Sequence, residues 1–194
     1  MQAIDTPVPG LRLYENIVPD KFHKAFVKQL NDAMYEQNRG HYDGFHFKND
    51  IAFDAIFYPM TRRLFKIMKE LTIFKLPASG KLTLGCSLLG YDADGYIPRH
   101  VDASTLSGDT VCVFSFNSPC VVNFYEEGPP HRHEKVLVPE KSMYVMAGDS
   151  RTKWSHEILP NENTYEGQEI GRAKRYSLLL FEPGSAYQEE LLTY

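Results

Sequence analysis

The stretch Leu82-Thr83-Leu84-Gly85-Cys86-Ser87-Leu88 decides the fold. Its leucines and cysteine fall at every second position with small or polar residues between them, the two-residue period of a half-buried strand. The chain before it has a different period. Pro19 opens a run to about Asn38 in which Phe22, Phe26, Leu30, Ala33 and Met34 recur at helical spacing, and a proline is well tolerated where a helix begins. A second helix is predicted from Tyr58 to Leu71, with Leu64, Ile67, Met68 and Leu71 on one face. After the opening strand the period stays short. Thr110–Asn117, Cys120–Tyr125, Lys135–Val138, Met143–Ala147, Trp154–Ile158 and Lys174–Phe181 all read as strands, separated by Gly, Pro, Asp and Asn. Glu126–Glu134 reads as a hairpin loop and Pro160–Gly171 as a longer polar loop. Two helices followed by many short strands predict an α+β chain that is mainly β, a sandwich or jelly roll with N-terminal helices against it.

Composition bounds the function. At 194 residues, 43% hydrophobic and 24% charged, the chain is long enough to bury a substantial core. A net charge of −4 gives no global attraction to phosphate backbones, so nucleic-acid binding requires a local basic patch. Arg62, Arg63, Lys66 and Lys69 form a basic stripe opposite the apolar face of the second helix, which is read first as a solvated face and second as a phosphate contact. Cys86, Cys112 and Cys120 are odd in number and lie in strand-like runs, which suits reduced core thiols. The N-terminus MQAIDTPVPGLRLY lacks the apolar core of a signal peptide, and no apolar run reaches membrane-spanning length. The expectation is an intracellular protein, cytoplasmic and/or nuclear, with no membrane partner.

One pattern carries chemistry. Gly95-Tyr96-Ile97-Pro98 reads as a turn feeding a strand, so His100 and Asp102 of His100-Val101-Asp102 are expected at a strand's start, on one face of it. His156, in Lys153-Trp154-Ser155-His156-Glu157-Ile158 after the Gly148-Asp149 turn, supplies a third ligand from another strand. Two imidazoles and one carboxylate on one face of a metal leave three positions open, the arrangement of non-haem Fe(II) oxygenases. Arg175 follows, and a guanidinium there suits a bidentate grip on a dicarboxylate. The plainer alternative makes His156 a hydrogen-bonded core histidine and Arg175 a surface cation. His131-Arg132-His133 lies in a proline-flanked loop and reads as solvated rather than as a second metal site. Phe45, Phe47, Phe53 and Phe57 form an aromatic cluster that either packs in the core or stacks on a base.

Three stretches carry a family resemblance: Gly95-Tyr96-Ile97-Pro98-Arg99-His100-Val101-Asp102, Gly148-Asp149-Ser150-Arg151-Thr152-Lys153-Trp154-Ser155-His156, and Arg175-Tyr176-Ser177-Leu178. In this order the chain resembles the Fe(II)/2-oxoglutarate dioxygenases, and within them the AlkB-like branch. The resemblance spans Leu82 to Pro183, about half of the chain, while Gly10-Leu11-Arg12-Leu13-Tyr14 is loosely similar to the family's first strand. It implies a double-stranded β-helix (jelly-roll) core at 81–194 with a helical N-terminal elaboration at 1–80, together one dioxygenase domain. It implies Fe(II) held by His100, Asp102 and His156, with O2 and 2-oxoglutarate as co-substrates. Arg175 would pair with the far carboxylate of 2-oxoglutarate, Tyr91 would assist through its hydroxyl, and Ser177 would face the same pocket. Arg151 matches a position near the substrate mouth, and the aromatic cluster falls where the family carries a nucleotide-covering lid. Two positions depart from the pattern. Phe181 stands where a second arginine is usual, and Leu89 where an asparagine is usual; neither donates a side-chain hydrogen bond. The implied reaction is C–H oxidation, foremost demethylation or dealkylation of a nucleic-acid base. Hydroxylation or demethylation of a protein side chain is the alternative, and a catalytically silent metal-binding interaction module the second.

Overall fold

The structure is a computed structural model that describes residues 2–34, 45–48, 58–187 and 191–193. In chain order the elements are β1 (Ile4–Asp5), β2 (Leu11–Tyr14), α1 (Asp20–Met34), β3 (Phe45–Lys48), α2 (Tyr58–Glu70), β4 (Thr83–Tyr91), β5 (Ile97–His100) and β6 (Ser107–Phe116). They continue as β7 (Cys120–Glu126), β8 (His133–Val138), β9 (Ser142–Ala147), α3 (Asp149–Thr152), β10 (Trp154–Ile158), β11 (Thr164–Tyr165), β12 (Gln168–Glu169), β13 (Arg175–Pro183) and β14 (Leu192–Thr193). The described residues are mainly β and every pairing is antiparallel, an arrangement that fits a jelly-roll core. The large sheet runs β1-β2-β9-β6-β13-β4-β14, with β3 also on β4; a four-stranded sheet runs β5-β10-β7-β8.

The two-residue period sorts the side chains of the large sheet into two layers. On β6, Cys112, Phe114 and Phe116 fall in one buried cluster, Val111 and Val113 in the other. Tyr176, Leu178 and Leu180 of β13, with Leu84, Cys86 and Leu88 of β4, join the first cluster, which also holds Phe22, Phe26 and Leu30 of α1 and Leu64 and Met68 of α2. The second cluster lies between the sheets. Leu11 and Leu13 of β2, Tyr144 and Met146 of β9 and Phe181 of β13 meet Val122 and Phe124 of β7, Val136 and Val138 of β8 and Trp154 and Ile158 of β10. With both faces covered, the sheet's central strands are apolar on both sides.

The ends of the elements follow from local chemistry. Asp20 in the first turn of α1 complements the helix dipole. At the end of α2, Thr72 takes a left-handed conformation (φ 51) and its N–H donates to the Lys69 carbonyl, while the Ile73 N–H reaches the Met68 carbonyl at 3.0 Å. That is the Schellman pattern, and the buried Met68 and Ile73 belong to the same cluster. Pro98 explains the place of β5, because a strand whose proline lacks an N–H belongs at a sheet edge, where the order β5-β10-β7-β8 puts it.

Some expectations shift. The six strand-like runs after Gly80 are β6 to β10 and β13, with boundaries moved by up to three residues. The expected turn at Gly148-Asp149 continues into the short helix α3, and the polar loop after Pro160 contains the β11–β12 hairpin, whose Glu166 and Gly167 both have positive φ. Of the first predicted helix, residues 35–38 lie outside the described residues, as do Phe53 and Phe57. Phe45 and Phe47 sit on β3 opposite Tyr91 and Leu89.

Candidate functional site

The candidate ligands sit on and beside β5, the edge strand of the four-stranded sheet, and on its neighbour β10. β5 and β10 pair with His100 directly opposite His156, and His156 also lies opposite Phe124 of β7. β5 ends at His100, so Asp102 lies just beyond the strand rather than on it. Its carboxylate nevertheless returns to the histidines. Nε2 of His100 lies 3.3 Å from Asp102 Oδ1 and Nε2 of His156 lies 3.9 Å from it, with ligand atoms of all three within 4.8 Å of one another. Among the described residues this is the one His/Cys/Asp/Glu group with metal-holding geometry.

Hydrogen bonding prepares the first ligand. Nδ1 of His100 lies 2.8 Å from the Pro98 carbonyl, and a proton held there leaves Nε2 to face the carboxylate. Protonation favours the two histidines differently. Burial pushes the His156 imidazole down to about 4, the nearby Arg151 and His100 charges acting the same way against Asp102. Burial also disfavours charge on His100, but the hydrogen bonds to Asp102 and the Pro98 carbonyl outweigh it and raise this group. Burial works to raise Asp102; the His100 hydrogen bond and the surrounding positive charges overcome it and hold the carboxyl below its usual range. One neutral imidazole, one imidazole sharing a proton and one carboxylate form a donor set that a divalent cation suits.

Arg175 lies beside Tyr91 and Ser177, two lining residues of the cavity, and is not itself among the lining residues. It is 3% exposed on β13, opposite Tyr91 of β4, and its guanidinium lies 5.5 Å from the Tyr91 ring centroid. Its Nε donates to Ser115 Oγ at 3.0 Å, whereas Nη1 and Nη2 are buried without a hydrogen-bond partner. A guanidinium buried with two idle nitrogens is costly, and a bidentate carboxylate is the ligand that would satisfy both. Tyr91 and Ser177 line one cavity with His100, Asp102 and His156, between apolar walls that include Val122 and Ile158. On the observed donor set and the orphaned guanidinium, the residues present fit a divalent metal and a carboxylate-bearing co-substrate.

Other expected residues fall elsewhere. Arg151 is 3% exposed, with its guanidinium bonded to the backbone of Asp102, Ser107 and Gly108. Phe181 packs its ring across Gly85, where an added Cβ would lie 2.4 Å from Phe181 Cε2, and meets Tyr187 edge-on at 5.3 Å. Leu89 lines the cavity. The basic stripe of α2 is exposed, but α2 belongs to the cluster on the far face of the large sheet from the cavity. In the 126–134 loop Arg132 binds Glu126 at 2.9 Å and His133 Nε2 meets Asn123 Oδ1 at 2.8 Å. The sequence reading missed Tyr144, a buried cavity residue of β9 opposite Val113. Its alternation with Met143 and Val145, which are buried on the helix-covered face of the sheet, was the available signal.

The fold and the site together define a class, a two-sheet antiparallel protein with an H-x-D…H donor set at the sheet edge. Comparison with known proteins points the same way. No protein-family model matches the chain. It is similar to the alpha-ketoglutarate-dependent dioxygenase alkB homolog 7, mitochondrial, of Bos taurus (32% identical over 93 residues, 47% of this chain and 42% of that protein) and to its Mus musculus counterpart (31% over 93 residues). It is also similar to the tRNA (carboxymethyluridine(34)-5-O)-methyltransferase ALKBH8 of Mus musculus, 24% identical over 172 residues, 79% of this chain and 25% of that protein. The matched region thus spans about two fifths of the alkB homolog 7 proteins. These similarities, at modest identity and partial coverage, support an AlkB-like resemblance at the level of the dioxygenase superfamily. The alkB homolog 7 proteins are named as mitochondrial, which differs from the cytoplasmic and/or nuclear expectation. No helix among the described residues is long and apolar enough to cross a membrane.

Proposed function

We propose that this chain is an AlkB-like dioxygenase dependent on Fe(II) and 2-oxoglutarate, acting through residues 1–194 as one domain. The observation that carries the reading is a cavity whose wall joins His100, Asp102 and His156 to the neighbours of Arg175, a buried guanidinium with two unpartnered nitrogens. When bound, the metal would supply oxidation of a C–H bond by O2, one oxygen atom going to the substrate carbon and the other to 2-oxoglutarate, which leaves as succinate and CO2.

The chain's own residues do the rest. Asp102, kept ionised, would hold the cation together with the imidazoles of His100 and His156. Arg175, fixed through Nε by Ser115, presents Nη1 and Nη2 to the far carboxylate of the co-substrate. Burial keeps the Tyr91 and Tyr144 hydroxyls protonated, so Tyr91 can donate to the same carboxylate. Val113, Val122 and Ile158 keep the cavity apolar and exclude water from it. Phe181 and Leu89 leave the metal-proximal carboxylate of the co-substrate without a side-chain donor at those two positions.

The substrate to test first is a methylated or alkylated nucleic-acid base, following the AlkB-like resemblance and a relative named for a tRNA modification. Because the α2 stripe lies across the sheet from the cavity, its charge reversal is expected to leave turnover unchanged. A protein side chain is the second substrate class, favoured by the acidic net charge. Succinate release from 2-oxoglutarate and Fe(II), followed by NMR without substrate, tests the reaction class. The expected result is slow succinate formation, abolished in Asp102→Ala. Full turnover in that variant would refute the ligand assignment, and no turnover in the wild type would leave the silent metal-binding module as the better reading.

A further inference from the structure

Arg151 is the most heavily bonded buried cation described, and every bond goes to one short segment. Nε donates to the Gly108 carbonyl at 2.9 Å, Nη1 to the Asp102 carbonyl at 2.8 Å, and Nη2 to both the carbonyl and the hydroxyl of Ser107, the latter at 2.9 Å. Among the described residues no carboxylate pairs with it. Burying a guanidinium on neutral acceptors alone is unfavourable unless the geometry it enforces is needed. All three of its nitrogens are engaged, so it has little left to offer a substrate.

What the bonds enforce is the relation between two ligands. Arg151 sits in α3, which leads directly into β10 and His156, while its guanidinium grips the backbone of Asp102 itself and the far end of the loop that follows. That loop is tied within itself by the Leu106 and Ser107 amides to the Ala103 carbonyl. Its outer flank rests on the C-terminal chain, through Gly184 N to Leu106 O at 3.0 Å and Ala186 N to Thr105 O at 2.7 Å. Asp102 lies beyond the end of β5 and has no strand ladder to hold it. Arg151 supplies the missing tether from the side of His156.

We propose that Arg151 is a positioning residue that sets the Asp102 carboxylate against His156 before any metal arrives, so that the donor set is preorganised rather than assembled on binding. This rests on the metal reading above.

The test uses Co(II) alone, titrated into the full chain and followed by visible absorption, beside amide hydrogen exchange in metal-free protein. Arg151→Met should raise the Co(II) dissociation constant roughly 10- to 100-fold, the usual effect of losing a partner that orients a ligand. Exchange of residues 103–108 should speed up by about the same factor. Arg151→Lys, which keeps the charge but loses the fork, should fall between. Ser107→Ala removes one bond and keeps the fold available if Arg151→Met does not fold; it should weaken Co(II) a few-fold, on the order of the 1 kcal/mol that one buried hydrogen bond contributes. If folded Arg151→Met is less heat-stable but binds Co(II) as tightly as wild type, or if Ser107→Ala and Arg151→Lys both leave the affinity unchanged, the residue is merely structural and the proposal fails. A wild type that binds Co(II) no better than Asp102→Ala would instead overturn the metal reading, and this proposal with it.

Discussion

At the residue scale, the site is marked by a buried polar group that no other residue satisfies. That group belongs to Arg175. Its buried Nη1 and Nη2 lack partners, so the folded protein carries a desolvated charge that only a ligand would satisfy. Arg175→Met should therefore leave the heat stability of the metal-free protein equal or higher in a thermal melt, a result opposite to that for most buried substitutions. The same variant should raise the 2-oxoglutarate concentration for half-maximal succinate formation by roughly two orders of magnitude, the range for truncating one partner of a buried charge pair. A lower melting temperature with unchanged demand for 2-oxoglutarate would make Arg175 a structural residue. Phe181 shows the converse. It fits because Gly85, directly opposite on β4, has no side chain to collide with its ring. Gly85 and Phe181 act as a pair, and the arginine usual at position 181 in the AlkB pattern is replaced here by apolar packing.

At the element scale, α1 is joined to the large sheet by a histidine that must stay neutral. His23 Nε2 accepts the Asn117 backbone N–H at 3.0 Å, beyond the end of β6, and its ring stacks on Phe116 at 5.9 Å. Burial lowers this imidazole below its ordinary value; Glu140, 3.8 Å away, works against that without overcoming it, while Lys141 and Lys24 add to it and Asp20 opposes. The unfolded chain therefore binds the His23 proton more readily than the folded one. Its contribution is full above the ordinary histidine pKa of about 6.5 and is lost as pH falls through the depressed folded value. His23→Gln keeps an acceptor for Asn117 and removes the titration. Between pH 7.5 and 5 its melting temperature should fall less than that of the wild type, and parallel profiles would show that His23 is not a source of acid sensitivity. The short elements were the hardest to read. The β11–β12 hairpin turns on Glu166-Gly167 rather than on the Asn-Gly or Asp-Gly that announces such a turn, and α3 is a single turn with no apolar period.

At the scale of the whole molecule, the two sheets meet along an interior whose apolar layer stops at the donor set. A divalent cation bound there would link β5 to β10 and the loop after Asp102, and would stabilise the native state only. At about 100-fold excess over its dissociation constant that amounts to about 2.7 kcal/mol, or roughly 5–10 °C in melting temperature for a chain of this size. Co(II) should produce such a shift in the wild type, a chelator should reverse it, and Asp102→Ala should show none. An equal shift in both proteins would place the metal elsewhere.

Local order fixed a great deal of this protein. The two-residue period after Gly80 announced the strands, the helical period before it announced two helices, and His100, Asp102, His156 and Arg175 stood out by type and order. Those are properties of neighbouring residues, and a linear chain states them directly. What it could not state is which strands become partners, because pairings such as β2 with β9 or β13 with β4 join segments far apart and any apolar strand face satisfies the same pattern. For that reason Tyr144 emerged as a cavity residue, the basic stripe of α2 fell on the far side of the large sheet, and Arg151 turned inward to grip the Asp102 backbone only when the sheets were assembled. Residue type set what each group can do; the long-range closure of two sheets decided what it does it to.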